Sequence, residues 1–329
     1  MAAALYDNTT NMQRRFIYIT MALACIATGA FAQQTRIYTD PLVNYKQAKA
    51  FFQKEQYSLA YPLFKELRNG LRSTDRSNNS IAYDDVQFYT IACGLQQNEV
   101  FAAEDAKNFI ELNYNPSLKQ RLSFHLAEYY FRQKDMKEAL AYYEQTGAAS
   151  LSNRQVADMK FHQGYAYFTL QQFDKASPLL ESIAKSSSDP NYKDANYYFG
   201  LIAYARRNYR EGLSAFQKVE NDARYKNVVP FYVANIYYVQ GQKDKALEYG
   251  ESALDKTSGY YDIPMKELIG HAWFERNEYA KALPYLEEYV NKTDKVSRET
   301  LYQLSYCYYQ TGQLNKAVEG LKQLSGGED

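Results

Sequence analysis

Net charge is missing from this chain. Its 38 lysines and arginines stand against 38 aspartates and glutamates, so the formal charge is zero. A chain so balanced has no electrostatic pull toward nucleic acid or an anionic membrane surface. Cysteine is nearly missing as well. There are 3 in all, at Cys25, Cys93 and Cys307, too few and too scattered for a disulfide framework. Proline occurs only 8 times, which removes the commonest helix breaker. Beyond the N-terminal region there is no apolar run of about 18 residues, the length a membrane-spanning helix needs. Catalytic signatures are absent too. The chain has no G-x-x-x-x-G-K-[ST] loop, no G-x-S-x-G elbow and no C-x-x-C pair. His125, His162 and His271 lie far apart, without H-x-x-E-H or H-x-x-x-H spacing. They read as surface or groove-facing side chains. No metal, no cofactor and no enzymatic activity are expected. Carboxylates in stretches such as EALAYYEQ read as solvated helix faces.

What remains is rich in helix formers and unusually rich in tyrosine, with 34 tyrosines, 17 phenylalanines and one tryptophan. The N-terminus has its own pattern. From Met12 the sequence runs MQRRFIYITMALACIATGAFAQQ: two arginines, an apolar stretch over 16–28, and Ala30-Phe31-Ala32 before Gln33. That order is expected for a secretory signal cleaved after Ala32. Residues 1–11 are then an over-extended start, and 33–41 a short linker. Lipid attachment at Cys25 is the alternative, with Ala22 where a lipobox usually has Leu. The expected location is the periplasm of a Gram-negative bacterium, with outer-membrane association on the lipid reading.

From residue 42 the chain repeats. A small residue recurs at Ala48, Ala127, Gly164, Gly200, Ala234, Gly270 and Ser305, with spacings of 37, 36, 34, 36 and 35 from Ala127 onward. Twelve residues after each comes another: Ala60, Ala139, Ala176, Gly212, Ala246, Ala282, Ala317. Two helices joined by a short polar turn explain the offset, because at their closest crossing neither backbone tolerates a large side chain. Sixteen residues after each first small residue a bulky group usually follows: Phe64, Tyr143, Leu180, Phe216, Leu286, Leu321. Gly250 departs. These groups are expected to plug the gap toward the neighbouring unit. The interval between Ala48 and Ala127 holds a degenerate second unit around Ala92 and Phe101, and an exposed loop over 68–80.

These positions resemble the tetratricopeptide repeat (TPR), with an aromatic three residues after the first small one: Phe51, Tyr130, Tyr167, Tyr237, Trp273 and Tyr308. Ala203 departs. The resemblance covers 42–325. It implies an all-α, right-handed superhelical solenoid of about eight helix-turn-helix units and a protein or peptide partner. The chain stops at KQLSGGED without a polar capping helix, so a fragment, or further repeats downstream, is expected; 326–329 is a tail.

The aromatic pattern goes further than the fold needs. Four residues after each small anchor stand Phe52, Phe131, Phe168, Tyr204, Tyr238, Phe274 and Tyr309. Three before it stand Tyr45, Phe124, Phe161, Tyr197, Phe231, Glu267 and Tyr302. Residues seven apart share a helix face. In TPR proteins this face lines the concave inner surface. The first ring of each doublet is expected to pack on the second helix, and the next to point along the groove. Two uses compete: an aromatic ladder for a partner, or filling between neighbouring first helices. Asn235 is an isolated match to the carboxylate clamp of chaperone-binding TPRs, so that clamp is not expected. The expected function is a non-catalytic protein–protein interaction scaffold of the bacterial envelope. The alternative is an envelope glycan-binding or outer-membrane assembly lipoprotein with TPR-like helices.

Overall fold

The computed structural model describes residues 41–71, 82–254 and 261–325. The signal sequence, Cys25, most of the 68–80 loop and the tail after 325 lie outside these residues. Among the described residues there are sixteen α-helices and no strand.

The chain divides into two compact bodies after Gln97. The first holds α1 (Pro41–Gln53), α2 (Tyr57–Gly70) and α3 (Tyr83–Gln97). The second begins with α4 (Ala102–Leu112) and continues as six pairs: α5 (Pro116–Arg132) and α6 (Met136–Tyr143), α7 (Asn153–Thr169) and α8 (Phe173–Ala184), α9 (Tyr192–Ala205) and α10 (Tyr209–Gln217), α11 (Val229–Val239) and α12 (Lys243–Leu254), α13 (Asp262–Glu275) and α14 (Tyr279–Lys292), α15 (Arg298–Gln310) and α16 (Leu314–Ser325). Within each pair the first (A-type) and second (B-type) helix pack together, and successive A-type helices also touch. α2 continues through Arg68 to Gly70, where the sequence pattern placed loop, and Leu71 N–H still donates to Leu67 C=O at 3.0 Å. The body boundary falls inside the degenerate second unit.

The helix starts are locally encoded. Asn115 caps α5 by accepting from Ser117 and Leu118 N–H, with Pro116 at the first helical position. Ser152 and Gln155 form a capping box on α7. The turns share one geometry. Seven residues after each anchor, the backbone enters the left-handed region at Glu55, Lys134, Gln171, Arg207, Gly241, Asn277 and Gly312. That residue's N–H bonds the carbonyl of the second aromatic position, as in Gly312 to Tyr309 at 3.1 Å. The next N–H bonds the carbonyl of the first position, as in Gln313 to Tyr308 at 2.8 Å. This is a Schellman closure, repeated in every pair. The doublet residues therefore sit where the last helical carbonyls receive the turn. Only Gly241 and Gly312 take the left-handed conformation without steric cost; elsewhere a side chain bears about 1–2 kcal/mol.

The small anchors are buried, and the three glycine anchors each face a bulky neighbour. A Cβ on Gly200 would stand 2.8 Å from the Phe216 ring, and one on Gly270 would stand 2.6 Å from Leu286. At these glycines the bulky residue sixteen positions on (Leu180, Phe216, Leu286) fills the space over the anchor of its own unit, whereas Leu321, expected to plug a gap, is 44% exposed and Gly320 faces Ser305 instead. The expected reach into the neighbouring unit is present as well: Phe216 stacks on Tyr232 of the next A-type helix at 5.3 Å, Phe64 stacks on Tyr89 at 4.9 Å, and the Tyr143 hydroxyl lies 3.3 Å from His162 Nδ1. The exception at Gly250 is compensated. Ile269 and Met265, both fully buried, come down from α13 into the space it leaves.

Candidate functional site

The two rings of the doublet have different surroundings. Those three residues after the anchor face the B-type helices. Tyr130 stacks on Tyr142 at 5.8 Å, and Tyr237 meets Tyr249 edge-on at 6.1 Å. Their polar tips find carboxylates on the preceding B-type helix: Tyr167 donates to Glu144 at 3.0 Å, Trp273 to Glu251 at 2.8 Å and Tyr308 to Glu287 at 2.6 Å. A lysine eight residues further on lies over the ring, as Lys281 over Trp273 at 4.4 Å and Lys316 over Tyr308 at 4.9 Å. Glutamates that read as solvated faces are therefore tied into the joints between units.

The second rings, and those three before the anchor, lie on the A-type face. Phe131 stacks on His162 at 4.0 Å, and Phe168 leans on Tyr198 at 5.1 Å. Phe274 meets Tyr306 at 5.8 Å, and Tyr204 donates its hydroxyl to Asn235 at 2.9 Å. In each case the partner belongs to the next A-type helix. Among the earlier rings, Phe124 is buried, Phe161 is half-buried against Tyr165, and Tyr197 stacks on Tyr225 at 4.2 Å. Burial pushes the Tyr197 hydroxyl up to about 12. Tyr302 and Tyr309 are open to solvent, at 48% and 57% exposure. The rings thus line a seam, and their outer edges remain accessible to differing degrees.

One part of this face is hollow. Phe231, Asn235 and Tyr238 of α11, Glu267, Leu268 and His271 of α13, and Glu299 and Thr300 of α15 line a cleft of about 410 Å³. Its polar groups are cross-braced. The buried Thr300 hydroxyl donates to Glu267 at 2.9 Å and lies 3.2 Å from His271 Nε2. Tyr238 donates to Glu275, which also pairs with Lys243. Burial alone would raise the Glu267 pKa; His271, 3.6 Å away, and the hydrogen bond from Thr300 outweigh it and hold the carboxyl below its usual range. Glu275 is held down in the same way by Lys243 and Tyr238, against the effect of burial.

Sequence profiles described as Tetratricopeptide repeat match residues 102–152, 161–225 and 299–325. This is a tetratricopeptide-repeat chain. No curated protein matches the TPR chain by sequence. Solved structures do resemble it. The apo form of RapI is 14% identical, with a TM-score of 0.50, over 87% of this chain and 86% of its own. A tetratricopeptide repeat protein from Parabacteroides merdae ATCC 43184 is 13% identical over 81% of this chain and 98% of its own, with a TM-score of 0.41. PilF of Pseudomonas aeruginosa is 15% identical over 64% and 93%, with a TM-score of 0.48. At these identities the likeness is one of fold, and the fold is typically non-catalytic. Residues 229–292 of the TPR chain, outside the matched segments, keep the same anchors, turns and pairing.

The histidines of the TPR chain divide. His162 and His271 are half-buried on the A-type face, but His125 is buried, a correction to its reading as a surface or groove residue. It sits two positions before its anchor on α5, which packs against α4 and α6 and touches α7. Burial first, then the charge of Arg121, lowers its pKa to about 4, so it is neutral at neutral pH. His162 joins an inter-unit cluster that sequence spacing does not reveal. Its Nδ1 lies 2.8 Å from Glu128, which also accepts from Tyr143 at 2.6 Å. Burial pushes the Glu128 carboxyl up, but His162, Tyr143 and Arg132 together bring it below the usual range. A depressed folded pKa contributes stability above the ordinary value of 4.5 and loses it as pH falls below that. Glu128→Gln is therefore expected to flatten the acid limb of stability as pH falls below 4.5. Denaturant midpoints on either side of that pH check this; an unchanged limb would show that Glu128 is not linked to folding. Cys93 and Cys307 are buried, and burial raises both thiols to about 12. Among the described residues no group of three or more His, Cys, Asp or Glu is placed to hold a metal ion. Nor is any described helix long and apolar enough to cross a membrane.

Proposed function

We propose that this TPR chain is an exported, non-catalytic scaffold of the bacterial envelope that holds a protein partner along its A-type face. The observation that carries the reading is the cleft between α11, α13 and α15. There the two aromatic positions, Phe231 and Tyr238, flank an open space with Asn235 between them. Stiff rings with polar tips give large contact area at low entropic cost. Export rests on the two arginines, apolar stretch and Ala-x-Ala order of residues 14–32.

A photo-reactive residue at position 235, activated in living cells, is expected to cross-link one protein reproducibly, identified by mass spectrometry. Tyr238→Ala is expected to abolish that recovery and the binding of the purified partner. Tyr309→Ala is expected to weaken it several-fold while costing under about 1 kcal/mol of stability, as for exposed sites. Unchanged recovery with both variants would remove the A-type face as the partner surface. Cross-linking to polysaccharide alone would favour the glycan-binding reading. Cell fractionation tests export: a cytosolic chain retaining residues 12–32 would end it.

A further inference from the structure

We infer that the cleft between α11, α13 and α15 receives a lysine or arginine side chain carried by an extended segment of the partner. The inference rests on the A-type face being the partner surface and names the chemistry that face selects.

The cleft has charge of one sign. Its lining includes the carboxylates of Glu267 and Glu299, with His271 beside them, and no lysine or arginine. Three cations on the surrounding helices are committed elsewhere. Lys243 on α12 pairs with Glu275. Lys266 on α13 is held by Asp262 at 3.1 Å and Glu288 at 2.7 Å. Arg298 on α15 donates to the Leu324 carbonyl at 2.9 Å. α11 has no charged residue at all. An acidic, half-enclosed cleft with no lysine or arginine on its lining is complementary to a cation from outside.

The carboxylates differ in role. Glu267 is braced by Thr300 and stays ionised at neutral pH. Glu299, in the first turn of α15, is exposed and accepts from Gln303 Nε2 at 3.4 Å, at the long end of hydrogen bonding. It retains acceptor capacity that a guanidinium or ammonium would use. Phe231 and Tyr238 add ring faces, on which cations also settle.

Asn235 adds a second kind of recognition. Its carbonyl oxygen accepts the Tyr204 hydroxyl at 2.9 Å, which fixes the orientation of the amide. The amide N–H groups are left as donors on the cleft lining, suited to a partner's backbone carbonyl. Together the groups read one basic side chain and the main chain next to it, the two parts of an extended peptide. A neutral sugar would use the rings and the amide but gain little from the carboxylates.

The test uses the full chain and a library of short random peptides as the probe. Selected peptides are expected to be enriched in lysine or arginine. Replacing the basic residue of the tightest binder by citrulline or norleucine is expected to weaken it by about tenfold or more. Glu299→Gln is expected to weaken it several-fold, and Glu299→Lys to abolish it. Glu299 is exposed, so both variants should keep the parent's melting curve. Glu267→Gln together with Glu299→Gln gives the full loss. Binding should also fall as salt rises from about 50 mM to about 300 mM. Binders without basic residues, a citrulline peptide that binds equally well, or indifference to Glu299→Lys would each overturn the inference. So would a library that yields no binder while Tyr238→Ala still abolishes capture of the cellular partner; the A-type face would then stand without its basic-residue preference. If Tyr238→Ala and Tyr309→Ala both leave capture intact, the A-type face itself fails, and this inference with it.

Discussion

Phe216→Ala is expected to cost about 3–5 kcal/mol, the range for deleting a fully buried aromatic ring. The ring is 0% exposed. It lies over Gly200 of its own unit, stacks on Tyr232 of the next, and joins a core with Val219, Val229, Val233 and Ile236. One truncation therefore loosens α9 against α10 and α10 against α11 together. Repeat arrays unfold in parts when a joint between neighbours weakens. Hydrogen exchange should show the loss concentrated in α9–α11, with α15 and α16 changed least. A cost below about 1 kcal/mol, as for an exposed residue, would show that the ring is not core.

Gly270→Val is expected to cost about 2–3 kcal/mol by overpacking. Even a single added Cβ would stand 2.6 Å and 2.7 Å from the Leu286 side chain and 3.4 Å from its backbone nitrogen. Leu286 is fully buried and has nowhere to turn. The helix gains propensity from losing a glycine, but that gain is below about 1 kcal/mol and does not offset the clash. Leu286→Ala alone leaves a cavity and costs about 2–5 kcal/mol. In the double variant the two errors should partly cancel, so the combined cost falls below the sum by about 1 kcal/mol or more. Strict additivity in denaturant unfolding would mean that the two residues do not meet.

Much of the fold was legible because its rule is steric. Where two helices cross closely, only Gly, Ala or Ser fits, and the short turn holds the second such residue twelve positions after the first. Ala127 with Ala139 and Gly164 with Ala176 obey that rule, and all four are buried. The turns were less legible. Glycine marks the left-handed residue at Gly241 and Gly312, but Lys134 and Arg207 adopt the same conformation under the force of the helices they join. Gly250 broke the bulky pattern because its filler, Ile269, comes from the next helix. The degenerate unit marked the division after Gln97 without revealing it.

The site was legible as a list of positions and not as a surface. Periodicity places Phe124, Tyr204, Tyr238 and Tyr302 on one helix face, yet Phe124 is buried and Tyr302 is half open. The difference lies in what the neighbouring helices bring. Phe131 is covered by His162, a contact that spans two units and follows no fixed spacing. The same holds for Glu128 with His162 and for Glu267 with Thr300.

By itself, then, the sequence determined the paired helices, their small-residue crossings, the turn after each aromatic doublet and the face on which each ring stands. These follow from helix period and backbone clearance, which act within one unit. Only the tertiary structure decided which rings are sealed, which carboxylates are braced and where the cleft beside Tyr238 opens. Those depend on side chains brought together from units about 35 residues apart, the repeat length, where local periodicity carries no information.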